Sequence, residues 1–310
     1  MDVELTWLRS WLEVVDSGGF ARAAERIHLS QPRISAHVAS LERALGVTLI
    51  ERRIRPLTLT DDGRRLLPRA RSIIAAVDDT VSDLRSTAGG AAGRLTIASF
   101  ASASSAFLPQ VLMDLRTANP LVDTRVIDGD VATIEAMLSE RRASVALRPF
   151  RPEPADHGLE RRDLWREPFV VLAPAGHPIS ENDAVRLEDV ARFPVITIGD
   201  PFSDPLLGYE ASAAMHSGRI EPLVGIVSHQ PTTLAAMVRA GHGLGLINAL
   251  ATTMVRLDDL VVLELSSPTL YRDVGLWWHA DRPLSRASEA FVELALAADR
   301  PPGTLPITAE

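Results

Sequence analysis

Apolar positions in the first sixty residues follow helical periods. Leu5, Leu8, Leu12 and Val15 recur three and four apart and predict one buried face of a helix over 5–15. Phe20, Ala23, Ala24 and Ile27 predict a second helix over 20–27, its alanines small enough for close crossing. Ser30 stands as an N-cap with Pro32 in the first turn behind it. Ile34, Val38, Leu41 and Leu45 then form the stripe of a third helix that Gly46 ends. His28 is expected to pack in the turn between helices two and three, and Arg43 to be solvated or an intrahelical partner. The next stretch, VTLIERRIRPLTLT, switches to alternation. Leu49, Leu57 and Leu59 face inward, and Arg52, Arg53 and Arg55 crowd the tip of a hairpin. Helices meeting at a short turn, followed by a basic hairpin, read as a winged helix-turn-helix.

Thr60, Asp61 and Asp62 open a long helix with acids at its positive end. Within it Leu67, Ala70, Ile74, Val77, Val81 and Leu84 make a heptad seam that two copies of the chain would bury together, or that packs on its own domain. Pro68 predicts a bend, or a seam that begins just after it. AGGAAG at 88–93 reads as a hinge. From Leu95 short apolar strands (LTIASF, TRVIDG, SVALRP, then PFVVLA, PVITIG, LVGIVS, GLGLIN) alternate with amphipathic helices, which implies a parallel sheet. Helices are expected near 209–217, 231–240 and 285–300, and the tail PPGTLPITAE is expected to fray.

The fold class is therefore α+β multidomain: an N-terminal winged helix-turn-helix (1–59), a linker helix (60–87), a hinge (88–94) and a two-lobed α/β domain (95–310). Lobe I takes 95–163 and 268–305, and lobe II takes 164–267.

Charge divides along the same lines. The net charge is −8, yet residues 18–72 carry eleven arginines against five acids, while residues 89–310 carry nineteen against twenty-eight. A basic head on an acidic body suits a protein in which one module meets phosphate. On the third helix Gln31, Arg33, Ser35 and His37 point outward near the N-terminal end, where they can read base edges or hold phosphates, although His37 is equally compatible with a plain surface role. The sequence contains no cysteine, which excludes disulfides, cysteine zinc sites and thiol redox sensing. It has no run of 18 apolar residues and no apolar signal core, so a cytoplasmic protein with no membrane partner is expected.

The stretches FARAAERIHLSQPRISAHVASLERALGV and LIERRIRPLTLTDDGRRLLPRAR resemble the LysR-type transcriptional regulators. FLPQVL, NPLVDTRVIDGD, VVLAPAGHP and MVRAGHGLGLIN follow in the order of that family's effector domain, so the resemblance spans nearly the whole chain. It implies a periplasmic-binding-protein-like architecture with a small-molecule effector, of unassigned identity, between the lobes, and no cofactor or metal. It implies that Ser30, Gln31, Pro32, Ser35 and the wing arginines contact DNA. Arg33 stands where a small residue is common, and Ala36 where a basic one is, so base preference does not carry over. Implied partners are double-stranded promoter or operator DNA, further copies of the chain as a homodimer and homotetramer, and RNA polymerase.

For the effector, Ser102 and Ala103 in the loop after the first strand, Asp130 and Thr133 after the second, and Gly199, Asp200, Ser228 and Thr232 from lobe II are the candidates. Ser102 to Ser105 and Asp130 are also explained as helix caps. Asp130 and Ser144 depart from the family pattern, which has an uncharged hydroxyl residue and an aspartate there.

No enzyme is expected. GHGLG at 241–245 is not a complete dinucleotide fingerprint, no GxSxG or HExxH occurs, and the eight histidines are scattered; His229, His242 and His279 could meet in space, but core or surface roles are expected of them. Two other readings stay open: a small-molecule sensor with a vestigial DNA head, and an effector-independent DNA-binding repressor.

Overall fold

The computed structural model describes residues 2–51, 56–85, 90–181, 184–198, 228, 230–266, 270–281 and 283–308. The chain forms two compact units. The first holds Met1–Gly89 and the short segment Ser139–Arg142, and the second holds the rest.

In the first unit, α1 (Leu5–Asp16), α2 (Phe20–Arg26) and α3 (Gln31–Leu45) are followed by β1 (Ile50–Glu51), β2 (Thr58–Leu59) and α4 (Asp61–Arg85). Ala23, Ala24, Ile34, Val38 and Leu41 are buried as the spacing predicts. On α1 the face is rotated: Leu5 is exposed and Leu8, Trp11, Leu12 and Val14 fill the core. Burying Trp11, which is 0% exposed, outweighs burying a terminal leucine that can fray into water. His28 does not pack in the turn. It is exposed and adopts φ 54°, a left-handed position that lets α2 stop and α3 start. Gly46 ends α3 at φ 70°.

The strands pair antiparallel, Ile50 with Leu59 and Glu51 with Thr58. The hairpin is tied to both flanking helices. Glu42 Oε1 accepts from the Leu49 N–H at 2.8 Å. The Thr60 hydroxyl donates to the Thr48 carbonyl (2.6 Å) and accepts from the Gly63 N–H (3.0 Å), which caps α4. Gly63 has no room for a side chain, because a Cβ there would lie 2.2 Å from the Leu49 carbonyl oxygen.

α4 runs unbroken through Pro68, and the Ser72 hydroxyl donates to the Pro68 carbonyl at 3.0 Å. The predicted seam divides. Leu67 and Ala70 are buried in the core of this unit, and Ile74 packs against it. These three are therefore not a free dimerisation surface: α4 lies along α1, held by Arg9–Asp78 and Arg71–Asp16 ion pairs, and needs its own apolar residues to fill the gap. Val77 is half-buried, while Ile73, Val81 and Leu84 are exposed, Leu84 at 83%.

The second unit begins earlier than expected. β3 (Ala92–Ser99) already pairs with β4 (Leu121–Asp128) from Ala92 on, so residues 92–94 of the predicted hinge are strand. Between and after these strands come α5 (Ala101–Ala106), α6 (Leu108–Ala118), α7 (Val131–Ser139) and β5 (Val145–Pro149). β6 (Leu159–Pro174) is followed by β7 (Ala184–Val185), α8 (Leu187–Val190), β8 (Val195–Thr197), α9 (Pro231–Arg239) and β9 (Leu244–Asn248). A 3-10 turn (Ala249–Met254), β10 (Leu260–Leu265), β11 (Tyr271–His279) and α10 (Arg286–Ala297) complete it. The strand expected at LVGIVS and the helix near 209–217 lie outside the described residues, apart from Ser228.

The sheet is mixed, not parallel. β4, β3 and β5 run parallel, and β11 is antiparallel to both β5 and β6. β6 is the shared strand. Its first half pairs with β11 in lobe I, and its second half pairs with β9 and β10 in lobe II. The lobe boundary predicted at 163/164 thus falls inside one continuous strand, whose charged start LERRDLWRE hid it from an apolar-pattern reading. The tail does not fray at Leu305, which exchanges backbone hydrogen bonds with Arg166 at 2.7 and 2.8 Å. GHGLG is a packing device. A Cβ at Gly245 would lie 2.7 Å from Leu234 of α9, so the strand needs glycine for the helix to seat.

Candidate DNA interface and effector cleft

The start of α3, from Ser30 to Arg33, is exposed. Ser30 has N-cap geometry (φ −72°, ψ 144°) yet its hydroxyl makes no capping bond, so it is free to meet a ligand beside the open N–H groups of the first turn. Gln31, Pro32 and Arg33 are exposed, and Ser35 is half-buried. Arg33 makes no ion pair among the described residues. His37 departs from the outward-pointing expectation. Its ring is half-buried, and Nδ1 lies 2.7 Å from the Ser10 hydroxyl on α1. Arg52, Arg53 and Arg55 lie outside the described residues.

The lobe I candidates gather at the ends of two adjacent parallel strands, where Ser99 of β3 registers with Asp128 of β4. Ser102 is buried in the first turn of α5, and its carbonyl accepts from the Ser105 hydroxyl at 3.1 Å. Ser104 donates to the Asp128 carboxylate. Ala103 is fully buried in the lobe I core, so its side chain is packed there and not open to a ligand. Asp130 Oδ1 accepts from the Thr133 N–H at 2.7 Å, so Asp130 caps α7, and Thr133 is exposed.

The lobe II candidates are less gathered. Gly199 and Asp200 lie outside the described residues. Ser228 is buried and engaged at the start of α9: its hydroxyl donates to the Gln230 carbonyl (3.2 Å) and accepts from the Gln230 N–H (3.1 Å). Thr232 is exposed on a groove of about 440 Å³ whose other walls include Arg239, Met254 and Arg256. None of the lobe I candidates lines that groove.

Sequence reading missed a polar cluster at the lobe junction. Arg272 Nε and Nη2 donate to Glu167 Oε2 at 3.0 and 2.7 Å, the Leu250 N–H donates to Glu167 Oε1 at 3.1 Å, and the guanidinium carbon lies 4.4 Å from the centroid of Phe100. Phe100 immediately precedes α5, so the Ser102 loop is tied to the shared strand. Nothing local in LERRDLWREP marked Glu167, one charge among several, and its partner lies 105 residues away.

Among the described residues the histidines singled out from the sequence are not brought together. His242 sits in the turn after α9, His279 stands between Asp156 (3.3 Å) and Asp281 (3.7 Å), and His229 lies outside the described residues. Among the described residues no group of His, Cys, Asp or Glu could hold a metal, and no helix is long and apolar enough to cross a membrane.

Comparisons with known proteins agree with this division of the chain. Residues 5–64 match the family described as "Bacterial regulatory helix-turn-helix protein, lysR family", and residues 88–300 match "LysR substrate binding domain". The HTH-type transcriptional regulator IlvR of Caulobacter vibrioides is 30% identical over 285 residues, covering 90% of this chain and 93% of that one. A full-length OxyR variant from Pseudomonas aeruginosa shares the fold, with a TM-score of 0.77, 21% identity and complete coverage of both chains. So does full-length CbnR in complex with its target DNA, with a TM-score of 0.65 and 23% identity, covering 94% of this chain and 98% of that one. With a DNA-reading head and a substrate-binding-type body on one chain, and both halves matched, this protein is a member of the LysR family of DNA-binding transcriptional regulators.

Proposed function

We propose that the chain acts as a homo-oligomer on promoter DNA, that α3 supplies the base-reading face, and that a small molecule held between the lobes switches transcription by RNA polymerase. The observation that carries this is the exposed N-terminal turn of α3, where the Ser30 hydroxyl makes no capping bond and Arg33 has no ion-pair partner among the described residues. Pairing is assigned to the exposed stripe of the second half of α4, where Ile73, Val81 and Leu84 stand in water. Single exposed leucines are ordinary, but three apolar side chains on one helix ask for a partner. The effector is assigned to the loops led by Ser102 and Asp130. One oxygen of Asp130 is spent on its cap, but its negative charge remains beside the site and favours an effector with donor groups over a purely anionic one.

The test is binding of the full chain to its own upstream DNA as salt rises. Phosphate contacts release counterions, so affinity should fall steeply. Arg33→Ala should weaken binding about tenfold and, if the contact is to phosphate, flatten the logarithmic salt slope by about one. Unchanged binding would leave a sensor with a vestigial head. A metabolite screen by thermal shift separates an effector-gated protein from a constitutive one, because a bound ligand raises the unfolding temperature by mass action.

A further inference from the structure

Ser10 lies where an apolar residue is expected. It is 1% exposed, on a helix whose buried residues are otherwise Leu8, Trp11, Leu12 and Val14. A hydroxyl buried without a partner is costly, and its partner is His37: Oγ and Nδ1 are 2.7 Å apart, and neither side chain makes another hydrogen bond among the described residues. His37 is on α3, four residues after Arg33 and therefore one turn along the same flank.

We propose that Ser10 is a positioning residue for DNA recognition, fixing the His37 ring so that Nε2–H is a constant hydrogen-bond donor to an acceptor atom of the duplex. This rests on the reading that the exposed face of α3 meets DNA.

An imidazole left alone flips about its Cβ–Cγ bond and exchanges tautomers, so the atom and the polarity it shows to a ligand are both undetermined. Anchoring Nδ1 on α1 removes the flip. The two ring nitrogens diverge, so Nε2 is turned away from α1, and no protein group among those described bonds it. For the neutral ring we assign the single ring proton to Nε2, with the Ser10 hydroxyl donating to Nδ1. In the charged ring Nδ1–H donates to the Ser10 oxygen and Nε2 still carries its proton. A hydroxyl, being both donor and acceptor, is the side chain that serves both states. The duplex acceptors that fit are guanine O6 or N7 and the phosphate oxygens.

The test uses the full-length chain and a fluorescein-labelled duplex selected by it from a random pool. Ser10→Ala and His37→Ala should each weaken binding about three- to tenfold, and the double variant should bind no more weakly than His37→Ala alone. A Ser10→Ala loss that persists undiminished in the His37→Ala background overturns the proposal, as does unchanged affinity in Ser10→Ala. Repeating the selection with His37→Ala distinguishes the acceptor: preference lost at one base pair means a guanine edge, and uniformly weaker binding with unaltered preference means phosphate. A second readout does not depend on folding strength. In the chain with 15N-labelled histidine at pH 8.5, His37 should show the Nε2–H tautomer, and Ser10→Ala should convert it to a mixture. An Nδ1–H pattern in the wild-type chain overturns the assignment. Loss of binding in Arg33→Ala with no effect of either Ser10→Ala or His37→Ala would leave the α3 reading standing and remove only this one.

Discussion

Glu167 and Arg272 form a buried ion pair across the strand that both lobes share. Glu167 on β6 is 0% exposed, Arg272 on β11 contributes two hydrogen bonds to one carboxylate oxygen, and the Leu250 N–H occupies the other. A pair this deep gains little net stability over an apolar substitute, but half of it is expensive to leave behind. Glu167→Gln should therefore destabilise the second unit by about 3 kcal/mol, within the range for a broken buried pair. Glu167→Leu combined with Arg272→Met should be less harmful than either single change. Urea unfolding followed by the fluorescence of Trp165, Trp277 and Trp278 measures both. A single variant as stable as wild type would mean that water already reaches the pair.

Gly63 reverses a general rule. Glycine inside a helix is normally worse than alanine by about 1 kcal/mol, so Gly63→Ala in α4 would be expected to stabilise. Here the added Cβ would meet the Leu49 carbonyl at 2.2 Å, a backbone atom that Thr60 and the hairpin hold in place. The expected result is a loss of about 1–3 kcal/mol, the usual cost of overpacking. It should appear in the unfolding midpoint of the first unit, with DNA affinity falling alongside. A gain in stability would show that the hairpin gives way easily.

Asp130 separates a cap from a ligand contact. Its Oδ1 accepts from Thr133 N–H, so Asp130→Ala should cost about 1 kcal/mol of stability. Asp130→Ser keeps a capping oxygen and should recover most of that while removing the charge. Once a ligand has been found by thermal shift, an Asp130→Ser variant that is stable but no longer shifted would place the carboxylate in the site. A shift equal to wild type would leave Asp130 as a cap alone.

Much of this architecture could be read from the residues, for physical reasons that also explain the failures. Ile34, Val38 and Leu41 are buried because a helical stripe of branched apolar residues has one place to go. The α4 stripe is equally regular, but period alone does not say whose surface covers it, and α1 covers the first half. Ala103 and Ser228 read from sequence as small residues near a cleft; the one fills the core and the other closes a turn. Glu167, Arg272 and Ser10 were invisible because each acts through a partner far off in sequence. The start of β6 was missed because its pairing with β11 is made by the backbone, which a charged sequence does not advertise.

The divided seam of α4 gives opposite expectations for two leucines that share one heptad pattern. Leu67 is in the core of the first unit, so Leu67→Ala should cost about 2–5 kcal/mol of its stability, as large-to-small core changes do. Leu84 is 83% exposed, so Leu84→Ala should leave unfolding within about 0.5 kcal/mol of wild type at concentrations where the chain is monomeric. Leu84→Glu, with Val81→Glu beside it, should instead act on association. Two like charges on a helix face meeting its twin should raise the dissociation constant by about tenfold or more, and sedimentation equilibrium would read that directly. Binding to a duplex with two half-sites should then fall further than binding to one half-site. If the double glutamate variant sediments as the wild-type chain does, the exposed stripe is not where copies of this chain meet.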